Sequence, residues 1–528
     1  MKRACIGVVG MAVAVGSLAG CGGGEGGGGG GPSPAAVARH VAYAARATAG
    51  APTRLYVTDV ESGGARPVSG VALTGLDVID FAWSADHRRL AYRADLDGDG
   101  ALELYVVTPG VEEEPGRLVS DGHVVLFTWS KAGADLAYVS NEEVAAEQAG
   151  YLLRDGASAP LRLTPPALVA GGDVSDALFA PDGERVAFVG NLESAGSYEL
   201  FTVRLDGTGW VKLSGPLVPG GSAYAPRWSP TSERIAWTAD AIQAGRHEGF
   251  TNLAAGGDLR QVSGAMVAGG DVSAVTWSGD GTRIAFRGDL LQDGVYELFA
   301  ADARGLARIR LSGPMPVVGL LTVGDVYEFG WTPDGTRIAY TADQEVDEVL
   351  DLYVTDTLVA DGATKVSGAH AATGTVQGFS FSPTSDRIAF RGDLVVDGHA
   401  EAFTVPVGGG PRTTVSGAIV PNGYVFSASF TSDGARVLFR ADVDGTNTFD
   451  LFCAPAGGGP RTNLSHLGGP GHVTQEVHVA IGGRVVFVGD LDTTNLDELY
   501  AVEPDGSDLV RISAPLGAGG AVLKVAVR

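Results

Sequence analysis

The chain has 528 residues, 45% of them apolar, with 79 glycines, 26 prolines and a formal net charge of −25. Such a length can bury a large core, and the glycine and proline content suits turn-dense β structure. The excess of carboxylates sets aside nucleic-acid backbones and anionic lipid surfaces as partners of the folded part.

Lys2 and Arg3 precede an apolar run from Ile6 to Ala19, the charged-then-apolar layout of a secretory signal. The run is shorter than the ~20 residues of a transmembrane helix. It ends Leu18-Ala19-Gly20-Cys21, which resembles a bacterial lipobox. The resemblance implies that residues 1–20 are a lipoprotein signal peptide, with lipid carried on Cys21 through a diacylglyceryl thioether and an acylated N-terminus. The plainer alternative is an ordinary cleaved signal beside a chance cysteine. At ~0.8 kcal/mol per buried methylene, several acyl chains anchor a protein stably. Residues 21–38 continue as a tether of glycines and Pro32-Ser33-Pro34, a flexible coil with a reach of ~20 Å. Cys5 lies in the leader and Cys453 alone in the body, so the mature fold has no internal disulfide available. Cys453 is expected to be a small buried hydrophobe rather than a reactive thiol.

From residue 39 onward one cassette recurs: a strand of the Arg-Ile-Ala-Phe type, then Glu-Leu-Phe, then Leu-Ser-Gly. Its first members are His40, Arg89, Asp135, Arg185, Arg234, Arg283, Arg337, Arg387, Arg436 and Arg484. A period of about 50 residues marks stacked supersecondary units. In the copy around residues 274–312, Ala274-Val275-Thr276-Trp277 alternates as one strand and Gly279-Asp280-Gly281-Thr282 carries turn chemistry. Arg283-Ile284-Ala285-Phe286, Tyr296 to Ala300 and Arg308 to Leu311 follow as three more strands. Each unit therefore predicts a four-stranded antiparallel meander. The first-strand aromatics Trp83, Trp129, Phe179, Trp228, Trp277, Trp331, Phe381 and Phe430, with Val479 in the ninth copy, are expected to face inward as core.

The chain ends fix how the array closes. The unit at His40 lacks a first strand, while Ala521 to Val527 is a first strand with nothing after it. Pairing the two completes a sheet and removes exposed edges. The strings Pro181-Asp182-Gly183-Glu184-Arg185-Val186-Ala187-Phe188 and Pro333-Asp334-Gly335-Thr336-Arg337-Ile338-Ala339-Tyr340 resemble the TolB-type β-propeller repeat. The resemblance spans about residues 39–528 and implies an all-β propeller of about ten four-stranded blades, closed into one ring. It departs from TolB in showing no separate N-terminal α/β domain. Because ten exceeds the usual 4–8 blades, two fused smaller propellers are the alternative.

The loop between second and third strands carries the acidic constellation. In unit two, Asp95, Asp97, Asp99 and Glu103 occupy positions 1, 3, 5 and 9, with Gly100 at 6. Oxygen ligands so spaced suit Ca²⁺. The loop resembles the calcium loops of integrin-type propellers, with Glu103 replacing the usual Asp. A solvated hairpin is the bland alternative. Weaker versions stand at Asp343, Glu345, Asp347 and Asp351, at Asp442, Asp444 and Asp450, and at Asp490, Asp492 and Glu498. Asp289 with Glu297, and Asp393 with Glu401, keep only the ends. These loops and the fourth-to-first-strand connections share one face of a propeller, which would be acidic and select cationic or metal-bridged partners. His466, His472 and His478 lie in a Gly-Pro stretch and read as a coincidental trio rather than zinc ligands.

No Gly-x-Ser-x-Gly elbow or phosphate loop is present. The Ser278-Gly279-Asp280-Gly281 type of turn resembles a sialidase Asp box, though turn structure suffices to explain it. The expectation is a non-catalytic protein-binding or scaffolding module of the bacterial cell envelope, lipid-anchored, at the outer membrane rather than the inner. It needs no cofactor, calcium aside. The alternatives are a propeller hydrolase or lyase with its site in the central channel, and a purely structural spacer.

Overall fold

The computed structural model describes residues 40–527 except 71–76, 112–115, 145–146, 167–168, 170, 319–320, 358, 371–372, 467–470 and 482. The chain divides into Met1–Val37 and Ala38–Arg528. Cys21 and its tether lie outside the described residues, and every described strand belongs to the second unit.

Ten four-stranded antiparallel sheets form that unit. In blade 6, strand a is Val272–Trp277, b is Arg283–Gly288, c is Glu297–Asp302 and d is Ile309–Arg310, hydrogen-bonded in that order. Most d strands are two residues long, so each blade presents only a short outer edge. An added hairpin, Val317–Val318 with Leu321–Thr322, decorates the connection to blade 7.

Blade 1 is built from both chain ends. Its strands b, c and d are His40–Arg46, Thr53–Asp59 and Gly63–Pro67, and its strand a is Ala521–Val527. Tyr43 stands opposite Val525 and Ala42 opposite Ala526. Tyr43 Oη accepts the Ala514 N–H at 2.7 Å, and Thr58 Oγ1 donates to Ile512 O at 2.7 Å, tying this blade to the last.

Hydrophobic clusters fill the space between every pair of neighbouring blades, from blades 1 and 2 through 9 and 10. The series closes where Val41, Tyr43 and Val522 of blade 1 pack on Val486, Leu499 and Ile512 of blade 10. An unbroken circuit of interfaces is one ring, which overturns the alternative of two fused propellers.

The first-strand aromatics pack on the inter-blade clusters as expected, and a second aromatic set joins them. The fourth residue of the Arg-Ile-Ala-Phe strand stacks on the aromatic of strand c directly opposite, as in Tyr43 on Tyr56, Trp237 on Phe250 and Phe286 on Phe299, at centroid distances of 5.3, 4.7 and 5.6 Å. Blade 4 inserts Trp210 against both Phe188 and Phe201. Of the first-strand aromatics singled out by the repeat, Trp277 and Phe430 are buried. Trp83, Trp129, Phe179, Trp228, Trp331 and Phe381 are half-buried, and the side chain of Val479 lies outside the described residues. Each of the six half-buried rings packs against the cluster between two blades, while strand a is an edge strand of its sheet. Several also act as inter-blade clasps: Trp129, Trp228 and Trp277 Nε1–H donate to the carbonyls of Ala82, Leu178 and Arg227 on the preceding blade, at 3.0, 3.1 and 2.9 Å.

Because strands alternate in direction, a–b and c–d turns share one face, while b–c and d–a loops share the other. The chain enters the ring at His40 on the first of these faces. In seven of the ten blades the b strand runs from an arginine at that face to an aspartate just past the other, as in Arg283 to Asp289; blades 1, 3 and 4 carry Arg46, Asn141 and Asn191 at the second position. At ~3.3 Å per residue the two charges stand about 20 Å apart.

Candidate functional site in the acidic loop face

Most carboxylates of this face have a structural task. Asp343, just past strand b (Arg337–Ala342), accepts the Asp325 N–H on Oδ1 at 2.5 Å and the Glu348 N–H on Oδ2 at 3.0 Å. Asp393 does the same with Thr375 and Gly398 at 2.7 and 3.0 Å. Asp240, Asp289 and Asp490 repeat the arrangement with Ser222 and Gly245, Asp271 and Gly294, and His472 and Asn495. The residue heading strand a in turn caps the preceding blade: Asp325 accepts the Tyr296 N–H and Asp271 the His247 N–H, both at 2.6 Å. Amide-to-carboxylate bonds thus pin these b–c loops, and through Asp271 and Asp325 tie blades 5, 6 and 7 in a relay.

The acid opening strand c is held differently. In four blades it meets a base on strand d: Glu199 with Lys212, Glu297 with Arg310 at 2.8 Å, Asp351 with Lys365 at 2.7 Å and Glu498 with Arg511 at 3.0 Å. Each base stands opposite the strand-c aromatic, as Arg310 opposite Phe299 and Arg511 opposite Tyr500.

Blade 2 departs from both rules. Opposite Tyr105 stands Leu118 instead of a base, and no Lys or Arg pairs with Glu103 among the described residues. Glu103 is buried; its Oε2 accepts the Leu96 N–H at 3.1 Å and the Tyr105 hydroxyl at 3.3 Å. Burial pushes its carboxyl above the usual range despite the Leu96 bond, and the charges of Asp97 and Asp95 add to the rise. Asp95 turns both oxygens into its own loop, accepting Gly98 and Gly100 N–H at 2.6 and 3.0 Å. Positive φ angles of 83° and 92° at those glycines let the backbone fold over it. Ligand atoms of Asp95, Asp97, Asp99 and Glu103 lie within 4.8 Å of one another, and among the described residues no other set of three or more converges so. Asp95 and Glu103 are buried at the base; Asp97 and Asp99 are exposed at the tip. This all-oxygen set could hold a hard cation such as Ca²⁺.

The weaker candidate loops spend their acids elsewhere. Lys365 bridges Asp351 and Glu345, at 3.0 Å to the latter. Asp444 accepts Thr446 Oγ1 at 2.6 Å and Asp450 accepts Ser465 Oγ at 2.5 Å. Asp442 accepts the Gly445 and Asn447 N–H groups. Tyr500 Oη lies 3.3 Å from Asp492. Burial raises the carboxyls of Glu297 and Glu401, countered by Arg310 at the first and Arg412 at the second. Asp347 is exposed at its loop tip.

Two of the three histidines are engaged elsewhere. His466 Nε2 lies 2.7 Å from Gly506 O, the His472 amide serves Asp490, and the side chain of His478 lies outside the described residues. Two His–Asp pairs do occur, His247 with Asp271 at 2.9 Å and His370 with Asp351 at 2.8 Å. In the second, Ser367 Oγ donates to the same carboxylate oxygen at 2.6 Å. The carboxylate is therefore central, and this pair is not the serine–histidine–aspartate order that activates a nucleophile. A cavity of about 170 Å³ lined by Arg337, Val354, Asp356, Thr364 and Val407 opens on the opposite face, away from both pairs. The Ser278-type turns are self-contained: Ser278 Oγ and the Thr282 N–H both donate to Asp280 Oδ1, at 2.5 and 3.0 Å.

The missing base of blade 2 had a faint signal in the sequence. The residue opposite the strand-c aromatic lies 11 positions on in Phe299–Arg310 but 13 on in Tyr105–Leu118, so a longer c–d turn hides the correspondence.

Among solved structures, a dipeptidyl peptidase 4 from Porphyromonas gingivalis is 13% identical, covering 65% of this chain and 53% of that one, with a TM-score of 0.44. Prolyl endopeptidases share 13% identity over 78% of this chain and 50% of theirs, at a TM-score of 0.37. A putative TolB from Agrobacterium tumefaciens shares 18% identity over 46% of this chain and 81% of its own, at 0.28. The chain thus spans about half the length of the two peptidases it matches. No curated protein matches it. Residues 54–218, which run from strand c of blade 1 past the end of blade 4, match the family model of the lipoprotein LpqB beta-propeller domain.

Proposed function

We propose that the ring is a non-catalytic binding module of the bacterial envelope, held there by lipid on Cys21, and that its b–c/d–a face receives a cationic protein partner. The observation carrying this reading is the row of exposed carboxylates at the b–c loop tips, among them Asp97, Asp99, Asp293, Asp347 and Asp397. Arg89, Arg234 and Arg484 all lie on the a–b/c–d face, where they meet acids such as Asp155, Asp258 and Glu503. The b–c face instead gathers the loop carboxylates described above. An acidic surface of this extent attracts and orients cationic partners and repels anionic ones. The match to a lipoprotein family supports the anchor. The Asp95 loop is proposed to bind Ca²⁺ and stiffen blade 2 on the same face.

The test has two parts. Cys21→Ala expressed in a bacterial host should move the protein from the membrane to the soluble fraction; retention in the membrane would remove the anchor. Cross-linking in the native envelope should capture neighbours through residues of the b–c loops. Neighbours captured only through the opposite face would reverse the proposed orientation.

A further inference from the structure

The b–c loops of blades 5 to 8 carry aliphatic side chains at their tips. Ile242, Leu291, Val346, Val395 and Val396 are 51–59% exposed. The fold does not require them there, because the residue that anchors such a loop is the one before: Leu290 and Leu394 are each 1% exposed. Exposed Asp293, Asp347 and Asp397 stand within the same loops. The four loops occupy equivalent positions on four consecutive blades, so the apolar tips form an arc interleaved with carboxylates. Single exposed aliphatics are ordinary; recurrence two or three residues past the Asp that follows strand b, on a common face, is what marks a contact surface.

We propose that this arc docks a cationic amphipathic polypeptide segment, its Lys or Arg side chains on the loop carboxylates and its apolar stripe on the aliphatic tips. Charge complementarity selects this occupant. A neutral apolar segment would leave Asp293, Asp347 and Asp397 desolvated without partners, while a purely basic one would leave the aliphatics in water. The inference rests on the reading of the acidic face as the docking face and adds the apolar half of the recognition.

The probes are a fluorescent Lys/Leu peptide of about 18 residues patterned as an amphipathic helix and an oligolysine of equal charge. The full mature chain is compared with I242Q/L291Q/V346Q/V395Q/V396Q and with the opposite-face control L253Q/L306Q, after equal melting temperatures confirm folding. The arc variant should bind the amphipathic peptide at least about tenfold more weakly, most clearly at high salt, where the electrostatic contribution is screened. Its oligolysine affinity and the control variant's affinities should not change. If oligolysine fails to bind the unaltered chain at low salt, the acidic-face reading fails. If oligolysine binds but the arc variant keeps its amphipathic-peptide affinity, or the control loses as much, only the present inference fails. A dimer that becomes monomeric in the arc variant would make a second copy the occupant and overturn the proposal.

Discussion

Calcium at the Asp95 loop gives the sharpest test, because among the described residues only its carboxylates converge as a set of three or more. Glu103 is buried without the strand-d base that Glu199, Glu297, Asp351 and Glu498 each have, and three more carboxylates converge on it. A dissociation constant of ~10⁻⁴ M, at the tight end for extracellular modules, makes 10 mM Ca²⁺ about a hundredfold excess, worth about 2.7 kcal/mol. If Ala38–Arg528 unfolds as one unit, its unfolding entropy is about 1 kcal/mol/K. The melting temperature should then rise by about 2–3 °C over the EDTA-treated protein by calorimetry. Asp97→Ala, at the exposed tip, should leave the EDTA melting point in place and lose most of the rise. Leu118→Lys should supply the missing base: the EDTA form should melt higher and the calcium response should shrink. The pH dependence has a fixed sign. The Glu103 carboxyl is raised in the folded state, so the folded protein holds more protons than the unfolded one above the ordinary glutamate range. Stability without calcium should therefore fall as pH rises through that window, and calcium should restore it near neutrality. No rise with 10 mM Ca²⁺, or an unchanged rise in Leu118→Lys, would refute the reasoning.

Removing residues 521–527 leaves the b strand His40–Arg46 as an unpaired edge. The shortened chain should lose cooperative melting and self-associate in sedimentation; a monomer with unaltered melting would contradict strand-sealed closure. Trp237 is buried and stacks on Phe250, and its Nε1–H donates to Asn252 Oδ1 at 3.1 Å. Trp237→Ala should cost about 3–5 kcal/mol, read as a fall of about 3–5 °C. Cys453 is buried opposite Leu438, and burial pushes its thiol pKa up. It should react with a thiol reagent only after denaturation, and rapid native labelling would show that blade 9 opens.

The cassette announced its fold because each strand's job is local. Alternation, turn glycines and the spacing of Arg-Ile-Ala-Phe to Glu-Leu-Phe are set by backbone sterics within one blade, so blade number, strand order and the split first blade were all legible. The stacked b–c aromatic pairs were present in the same two motifs, as Phe286 and Phe299, but their core role depends on cross-strand register. The strand-a tryptophans read as core by periodicity, and the structure packs them on the inter-blade clusters but leaves all except Trp277 half-buried. Among the acidic loops, spacing correctly singled out Asp95 to Glu103 as the set that converges. It could not tell which carboxylates are occupied by amides 18 residues back, or which have a base on strand d.

By itself the sequence determined the blades, their number and the charge at each end of most b strands, since these follow from patterns within a single repeat. Tertiary structure decided that one ring rather than two is formed, that most loop acids cap backbone amides, and that Glu103 is buried without a base. Those outcomes depend on which residues face one another across strands and between blades, and that pairing exists only once the circle has closed.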